Sequence, residues 1–390
     1  MKKRAAQFFA GCISLIIITT VQATSLPSPL LGKFLSIADI HFDPFTICHL
    51  GVKACPLIAD LQRTQPEEWA SIFESEGANT GINYYHDTSY SLLKITLIKI
   101  HSLNQSEHFN FVLLLGDSLG HMLRFKYILY SHDYSKAGFR SFINKIQNFL
   151  SQELQLAIPT IDIFPIIGNN DSYTGDYSVV PGGAFLKDTT ENWSSLIRNK
   201  ENRNNFIHQF PYGGYYETTL QTNAHQKIII LNSVLFGNVT NQSMQKAANK
   251  QLEWLHEQLI SAHTKHQTVF IAFHIPIGVN IYNTLKNPLG EIQEFWNKEY
   301  SNLFRQYINE FSGSISAILA AHIHIQALQF LIFNPPRGVY VTYTPSISPI
   351  FGNSPGFKLY RYDLNSFQIK GSDTYFYSFN HHTGQLDWQK

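Results

Sequence analysis

This chain lacks the marks of several protein classes. Its formal net charge is only +1, from 29 basic and 28 acidic residues. So even a balance creates no field for a nucleic-acid backbone or an anionic membrane surface. Cysteine is scarce, with three in 390 residues. No internal repeat, low-complexity tract or long linker is present, and the only long apolar run lies at the very start. There Lys2, Lys3 and Arg4 precede an apolar stretch from Phe8 to Val21, followed by Val21-Gln22-Ala23. That order predicts a cleavable signal peptide over residues 1–23. The run is short for a membrane span and contains Gly11 and Cys12, so no transmembrane anchor is expected after cleavage. Phe9-Ala10-Gly11-Cys12 makes a poor lipoprotein site, because the apolar run follows the cysteine. Losing Lys2, Lys3 and Arg4 takes the net charge from +1 to −2. The expected destination is the periplasm or the exterior. In an oxidising compartment the remaining Cys48 and Cys55 would pair as one loop disulfide. A zinc site is the weaker reading, for want of a third and fourth ligand. The mature length suits one large or two small domains, and 44% hydrophobic residues can build a substantial core.

What the chain does have is a series of apolar strands that end on polar side chains. Phe109 to Leu115 reads as a central strand covered on both faces, and Gly116-Asp117 follows it. In α/β proteins the crevice beyond strand ends is where ligands bind. Lys33 to Ile37 leads to Asp39-Ile40-His41, and residues two apart on extended backbone share a face. His121 lies four residues after Asp117, in a loop. The strand Ile161 to Ile167 ends in Gly168-Asn169-Asn170-Asp171, Thr268 to Phe273 ends in His274, and Ile315 to Ala320 ends in Ala321-His322-Ile323-His324. Helices are expected over Tyr90–Leu103 (capped by Asp87, Thr88 or Ser89), Ala137–Leu154, Asn249–His263 and Glu299–Phe311. Cys48 to Tyr85 and Gly175 to Asn205 read as irregular rim segments, Val339–Tyr343 and Lys358–Tyr362 as closing strands, and the remainder as a short tail.

Each strand end has an ordinary explanation as a turn, a cap or a solvated histidine. Five in one chain do not share one. Together they offer Asp39, His41, Asp117, Asn169, His274, His322 and His324. These are too many donors for one tetrahedral ion and suit two ions sharing a carboxylate.

The ordered pattern Asp-x-His, Gly-Asp, Gly-Asn-Asn-Asp, His, His-x-His resembles the calcineurin-like metallophosphoesterases. The branch it resembles is that of the acid sphingomyelinase-like phosphodiesterases and endopolyphosphatases. Supporting residues are Asp39 to Pro44, the Cys48/Cys55 loop, Gly116-Asp117 with His121, Gly213 to Tyr216, Leu252 to Leu255, and His274 to Gly278. The resemblance implies an α/β (α+β) fold: a four-layer αββα sandwich of two mixed sheets flanked by helices. It also implies one catalytic domain over residues 24–390. Asp39, His41 and His324 would hold one divalent ion, Asn169, His274 and His322 the other, and Asp117 would bridge them. His121 and Asn170 would be catalytic, with His121 against the substrate phosphate. Zinc is the metal expected from a histidine-rich set.

Three departures stand out. Asn170 replaces a histidine usually present, as in the endopolyphosphatases, and shifts the proton-donor role toward His121. Ala321 replaces a glycine. No saposin-like front domain is expected, since the sequence leaves no room for one, and this disfavours membrane sphingomyelin. Gly120 stands where the iron-containing purple phosphatases have a tyrosine. The expected activity is in-line hydrolysis, by a hydroxide shared between two ions, of phosphodiester or phosphoanhydride bonds in nucleotides or similar soluble compounds. The alternatives are an endopolyphosphatase, a sphingomyelin phosphodiesterase, or a non-catalytic secreted binding protein. Asn-x-Ser/Thr sequons at Asn104, Asn170, Asn192, Asn238 and Asn241 would carry glycans only on a eukaryotic secretory route.

Overall fold

A computed structural model describes residues 30–48, 55–76, 82–238, 241–286, 289–333 and 338–390. The signal-peptide expectation for residues 1–23 lies outside them. Twelve strands form two six-stranded sheets. In chain order they are β1 (Leu31–Ile37), β2 (Phe111–Leu114), β3 (Asp162–Pro165), β4 (Tyr216–Thr219), β5 (Gln226–Ile230), β6 (Thr268–Ala272), β7 (Ile315–Ala320), β8 (Ala327–Ile332), β9 (Gly338–Tyr343), β10 (Gly356–Asp363), β11 (Ile369–Asn380) and β12 (Gln385–Gln389). One sheet runs β12-β11-β10-β1-β2-β3 and the other β4-β5-β6-β7-β9-β8. Both are mixed. β1, β2 and β3 are parallel to one another, as are β5, β6, β7 and β9, while β10, β4 and β8 pair antiparallel.

The central strands are buried on both faces, as their unbroken apolar runs require. Phe34 of β1 stacks on Phe111 and Tyr360 of its own sheet, each at 4.7 Å, and reaches Phe270 of the other sheet at 5.6 Å. Ser36 Oγ and Thr344 Oγ1, 2.7 Å apart, add a polar tie across the same interface. Burying each large ring contributes about 1.5–3 kcal/mol. This aromatic seam holds the two sheets face to face.

Helices cover the outer faces. Tyr90–Glu107 starts at Ser89, whose Oγ accepts from Leu92 N at 3.3 Å. Lys136–Ala157 starts at Ser135, which accepts from Gly138 N at 3.0 Å. Gln242–Thr264 and Lys298–Glu310 pack beside the second sheet, capped by Asn241 and Asn297.

Several expectations need correction. Cys48 to Tyr85 is not simply irregular, because helices form at Pro56–Arg63 and Trp69–Ser75 and bury Trp69 and Phe73 in an aromatic cluster with Phe142 and Phe149. These helices are only two turns long, too short for helical spacing to declare itself. Gly175 to Asn205 contains the helix Ala184–Trp193 and the start of Lys200–Gly213. The closing segment is no loose tail: β11 spans twelve residues and β12 pairs with it at the sheet edge. Cys48 and Cys55 form a disulfide.

Candidate metal centre

β1, β2 and β3 of one sheet, and β6 and β7 of the other, point their carboxyl ends to one rim. The backbone then turns sharply. Asp39, His41, Asp117, His322 and His324 all take positive φ, at 49°, 43°, 51°, 73° and 58°. Their convergence is therefore not the simple two-residue alternation of extended chain expected from the sequence. Each left-handed non-glycine residue costs on the order of 1–2 kcal/mol, and five of them share this one rim. Neighbouring backbone groups hold the turns: Asp39 N donates to Gly116 O at 3.0 Å, and His41 N to Asp117 O at 2.9 Å.

Two glycines make the close approach possible. A Cβ at Gly168 would lie 2.1 Å from Asp117 Oδ1, and one at Gly116 would lie 2.8 Å from both Gly168 N and His274 Nδ1. Asp171 ties the two loops together. Its carboxylate accepts from Ser118 N (3.0 Å), Leu119 N (3.1 Å) and Gly168 N (2.9 Å).

The seven expected ligands come together. Asp39, His41 and His324 form one cluster, with His324 Nε2 at 3.3 Å and His41 Nε2 at 3.8 Å from Asp39 Oδ1. Asp117, His274 and His322 form a second. Asp117 Oδ2 lies between them, 3.5 Å from His41 Nε2 and 3.2 Å from His274 Nε2. Asn169 Oδ1 is 3.0 Å from His274 Nε2, and its amide is oriented by donating Nδ2 to Asp176 Oδ1 at 2.7 Å.

The chemistry of these donors fits cations. His41 Nδ1 faces the Leu119 carbonyl at 3.1 Å and His274 Nδ1 the Leu115 carbonyl at 2.7 Å. A carbonyl only accepts, so both Nδ1 atoms carry hydrogen and both Nε2 atoms point inward. Burial pushes His41 down to about 4 and His322 to about 3, which leaves both neutral and able to ligate. His41 Nε2 nevertheless sits 3.3 Å from His324 Nε2, and Asp39 Oδ1 is buried without a hydrogen bond from any described residue. At His274, burial works against charge, but Asp117 and then Asp39 outweigh it and raise its pKa to about 9. The cluster calls for positive charge, which protons or metal ions can supply.

The two expected catalytic residues flank this cluster. The His121 ring stacks on His41 at 4.2 Å, and its Nδ1 is 2.8 Å from Asp87 Oδ1. Burial opposes its charging, yet the hydrogen bond and charge of Asp87 raise its pKa. Burial also opposes ionisation of Asp87, but the His121 bond and neighbouring cations bring it to about 2. Lys126 Nζ spans Asp43 Oδ2 (2.6 Å) and Asp87 Oδ2 (3.3 Å). Asn170 faces Asp117: its backbone N donates to Oδ1 at 2.7 Å and its Nδ2 to Oδ2 at 2.9 Å.

Sequence reasoning missed Asp87, which reads as a helix cap although Ser89 does the capping. It also missed Asp171 and Tyr177, whose Oη lies 3.1 Å from His322 Nε2. The acid paired with His121 had no sequence signal, since 34 positions separate the two.

Comparison with known proteins agrees with this geometry. The calcineurin-like phosphoesterase family model matches residues 32–326. A sphingomyelinase phosphodiesterase C from Dictyostelium discoideum is 27% identical, over 97% of this chain and 80% of its own length. Sphingomyelinase phosphodiesterase D from the same organism is 25% identical over 93% and 78%. The cyclic GMP-AMP phosphodiesterase SMPDL3A of Homo sapiens is 22% identical over 88% and 70%.

Proposed function

The chain belongs to the calcineurin-like phosphoesterase family, a premise from which we propose an exported hydrolase of phosphodiester or phosphoanhydride bonds in soluble nucleotides and related compounds. It is a metal-dependent phosphoesterase with a dinuclear divalent-metal site. The observation that carries the finer reading is the meeting of seven donors from two sheets beside His121.

In this proposal Asp39, His41 and His324 would hold one ion, Asn169, His274 and His322 the other, and Asp117 would be shared. Zinc suits the imidazole-rich set. When bound, such a pair would supply an acidified water and positive charge for the phosphoryl oxygens. The chain's own groups do the rest. Asn170 fixes both oxygens of Asp117, so the shared carboxylate cannot rotate away. Asp87 engages His121 Nδ1 and favours the protonated ring, which leaves Nε2 to donate a proton to the departing oxygen. Lys126 holds Asp87 in place.

Residues 24–390 form one catalytic domain behind a signal peptide over 1–23, bound for the periplasm or the exterior. The Cys48–Cys55 disulfide supports an oxidising destination. No helix among the described residues is long and apolar enough to cross a membrane.

Names among the relatives specify both a cyclic dinucleotide and sphingomyelin as substrates. Hydrolysis of ATP, CDP-choline and bis-p-nitrophenyl phosphate by zinc-reconstituted protein tests the soluble-substrate reading. Turnover of at least one is expected; turnover of none, with sphingomyelin vesicles cleaved instead, overturns it. Asn170 favours a second reading, endopolyphosphatase, which predicts shortening of long polyphosphate chains on a gel.

A further inference from the structure

Along one flank the two sheets do not close on each other. Thr342 of β9 faces the opposite sheet, because its Oγ1 lies 2.8 Å from Tyr360 Oη of β10. The register pairs Leu328 with Thr342 and Phe330 with Tyr340. Alternation along β8 and β9 therefore puts Leu328, Phe330, Ile332 and Tyr340 on that same inward face. Inner-face residues of packed sheets ordinarily form core. Here they are 69%, 41%, 64% and 53% exposed.

Between them and β11 lies a cleft of about 1030 Å³, lined by Leu328 and Tyr340 on one side, Ile369 and Ser372 on the other, and Lys358 and Tyr360. Small-molecule sites run to roughly 300–1,000 Å³, so this one is ample. The cleft extends to Thr268 and Ile315, the first residues of β6 and β7, whereas His274 and His322 follow the last residues of those strands. It is a separate place from the metal centre.

Its charge is one-sided. None of the described lining residues is acidic. Lys358 is only 5% exposed, with Nζ 3.3 Å from Thr342 Oγ1 and 5.1 Å from the centre of the Tyr360 ring. No carboxylate among the described residues lies within 4 Å of it. Burial lowers its pKa to about 8, which still leaves most of it charged at neutral pH. A buried ammonium without a counter-ion is costly, and native proteins normally pair such a group. Open aliphatic walls above a buried cation that has no carboxylate partner describe a specific ligand chemistry.

We propose that this flank cleft binds an amphiphilic anion, a single aliphatic chain with a carboxylate head set against Lys358 and its tail along Leu328, Tyr340 and Ile369. Calorimetric titration of the full chain with decanoate below its micellar concentration tests this, with decanol as the uncharged comparison. Saturable one-to-one decanoate binding is expected. Lys358→Met should weaken it at least tenfold and leave decanol unaffected. Leu328→Glu, at an exposed position, should weaken both while the far-ultraviolet circular dichroism stays unchanged. Equal decanoate affinity in the wild type and Lys358→Met overturns the proposal, as does the absence of saturable binding to the wild type. If Lys358→Met does not fold, undiminished decanoate binding by Leu328→Glu overturns it instead. So does a wild-type dimer in sedimentation that Leu328→Glu dissociates, because a second copy would then be the occupant.

Discussion

Gly168→Ala is a single-methyl perturbation aimed at the shared carboxylate. The new Cβ would sit 2.1 Å from Asp117 Oδ1 and 2.2 Å from Asp117 N. Ordinary carbon–oxygen contact begins near 3.3 Å, so Asp117 must retreat by about 1 Å. It cannot swing aside, because Asn170 grips both its oxygens at 2.7 and 2.9 Å. A misplacement of about 1 Å at reacting groups costs roughly 10²-fold, and the overpacking costs about 1–3 kcal/mol of stability. The expected result is a drop in kcat/KM on bis-p-nitrophenyl phosphate of about two orders of magnitude. Metal content by mass spectrometry should fall and Tm should decrease modestly. Gly313→Ala is the control, since nothing lies within 4 Å of its added Cβ. Activity of Gly168→Ala within threefold of wild type, at full metal occupancy, would refute the idea that this glycine holds the carboxylate in register.

Other outcomes follow from the same geometry. Asp117→Ala should lower turnover by at least roughly 10²–10³-fold, the scale of losing one preorganised electrostatic group, and should release metal on dialysis. His121→Ala should cost about 10²–10⁴-fold in kcat with metal content retained; wild-type turnover would remove it from the reaction. Activity that needs protonated His121 is present at low pH and lost as pH rises through its raised pKa. Asp87→Asn removes the group that raises that pKa, so the loss should move to lower pH in a kcat profile. Replacing both Cys48 and Cys55 with alanine opens a loop of sequence separation 7, and should cost about 2–3 kcal/mol in denaturant melts.

The strand-end ligands were legible because each follows an apolar run, and because a carboxylate or imidazole there has few structural uses. Their approach angle was not. Left-handed turns at Asp39, His41, Asp117, His322 and His324 run against the residues' own preferences, and only the surrounding backbone bonds enforce them. Asp87 and Asp171 act through partners 34 and 53 positions away, a distance over which no local pattern carries. The helices Pro56–Arg63 and Trp69–Ser75 are short, and their aromatic burial depends on Phe142 and Phe149 from another helix. Strand β8 leaves three apolar residues in solvent and so did not register as sheet.

The donors are divided between the sheets: Asp39, His41, Asp117 and Asn169 belong to one, His274, His322 and His324 to the other. Ions held from both sides would act as a clasp over the seam of the sandwich. Chelation should therefore weaken the hold of one sheet on the other at this rim, while the aromatic seam and both ladders of backbone bonds stay in place. A chain severed between Asn169 and His274 keeps every donor, and should capture metal at this site only once its fragments have reassembled. Occupancy would then report whether the molecule has shut.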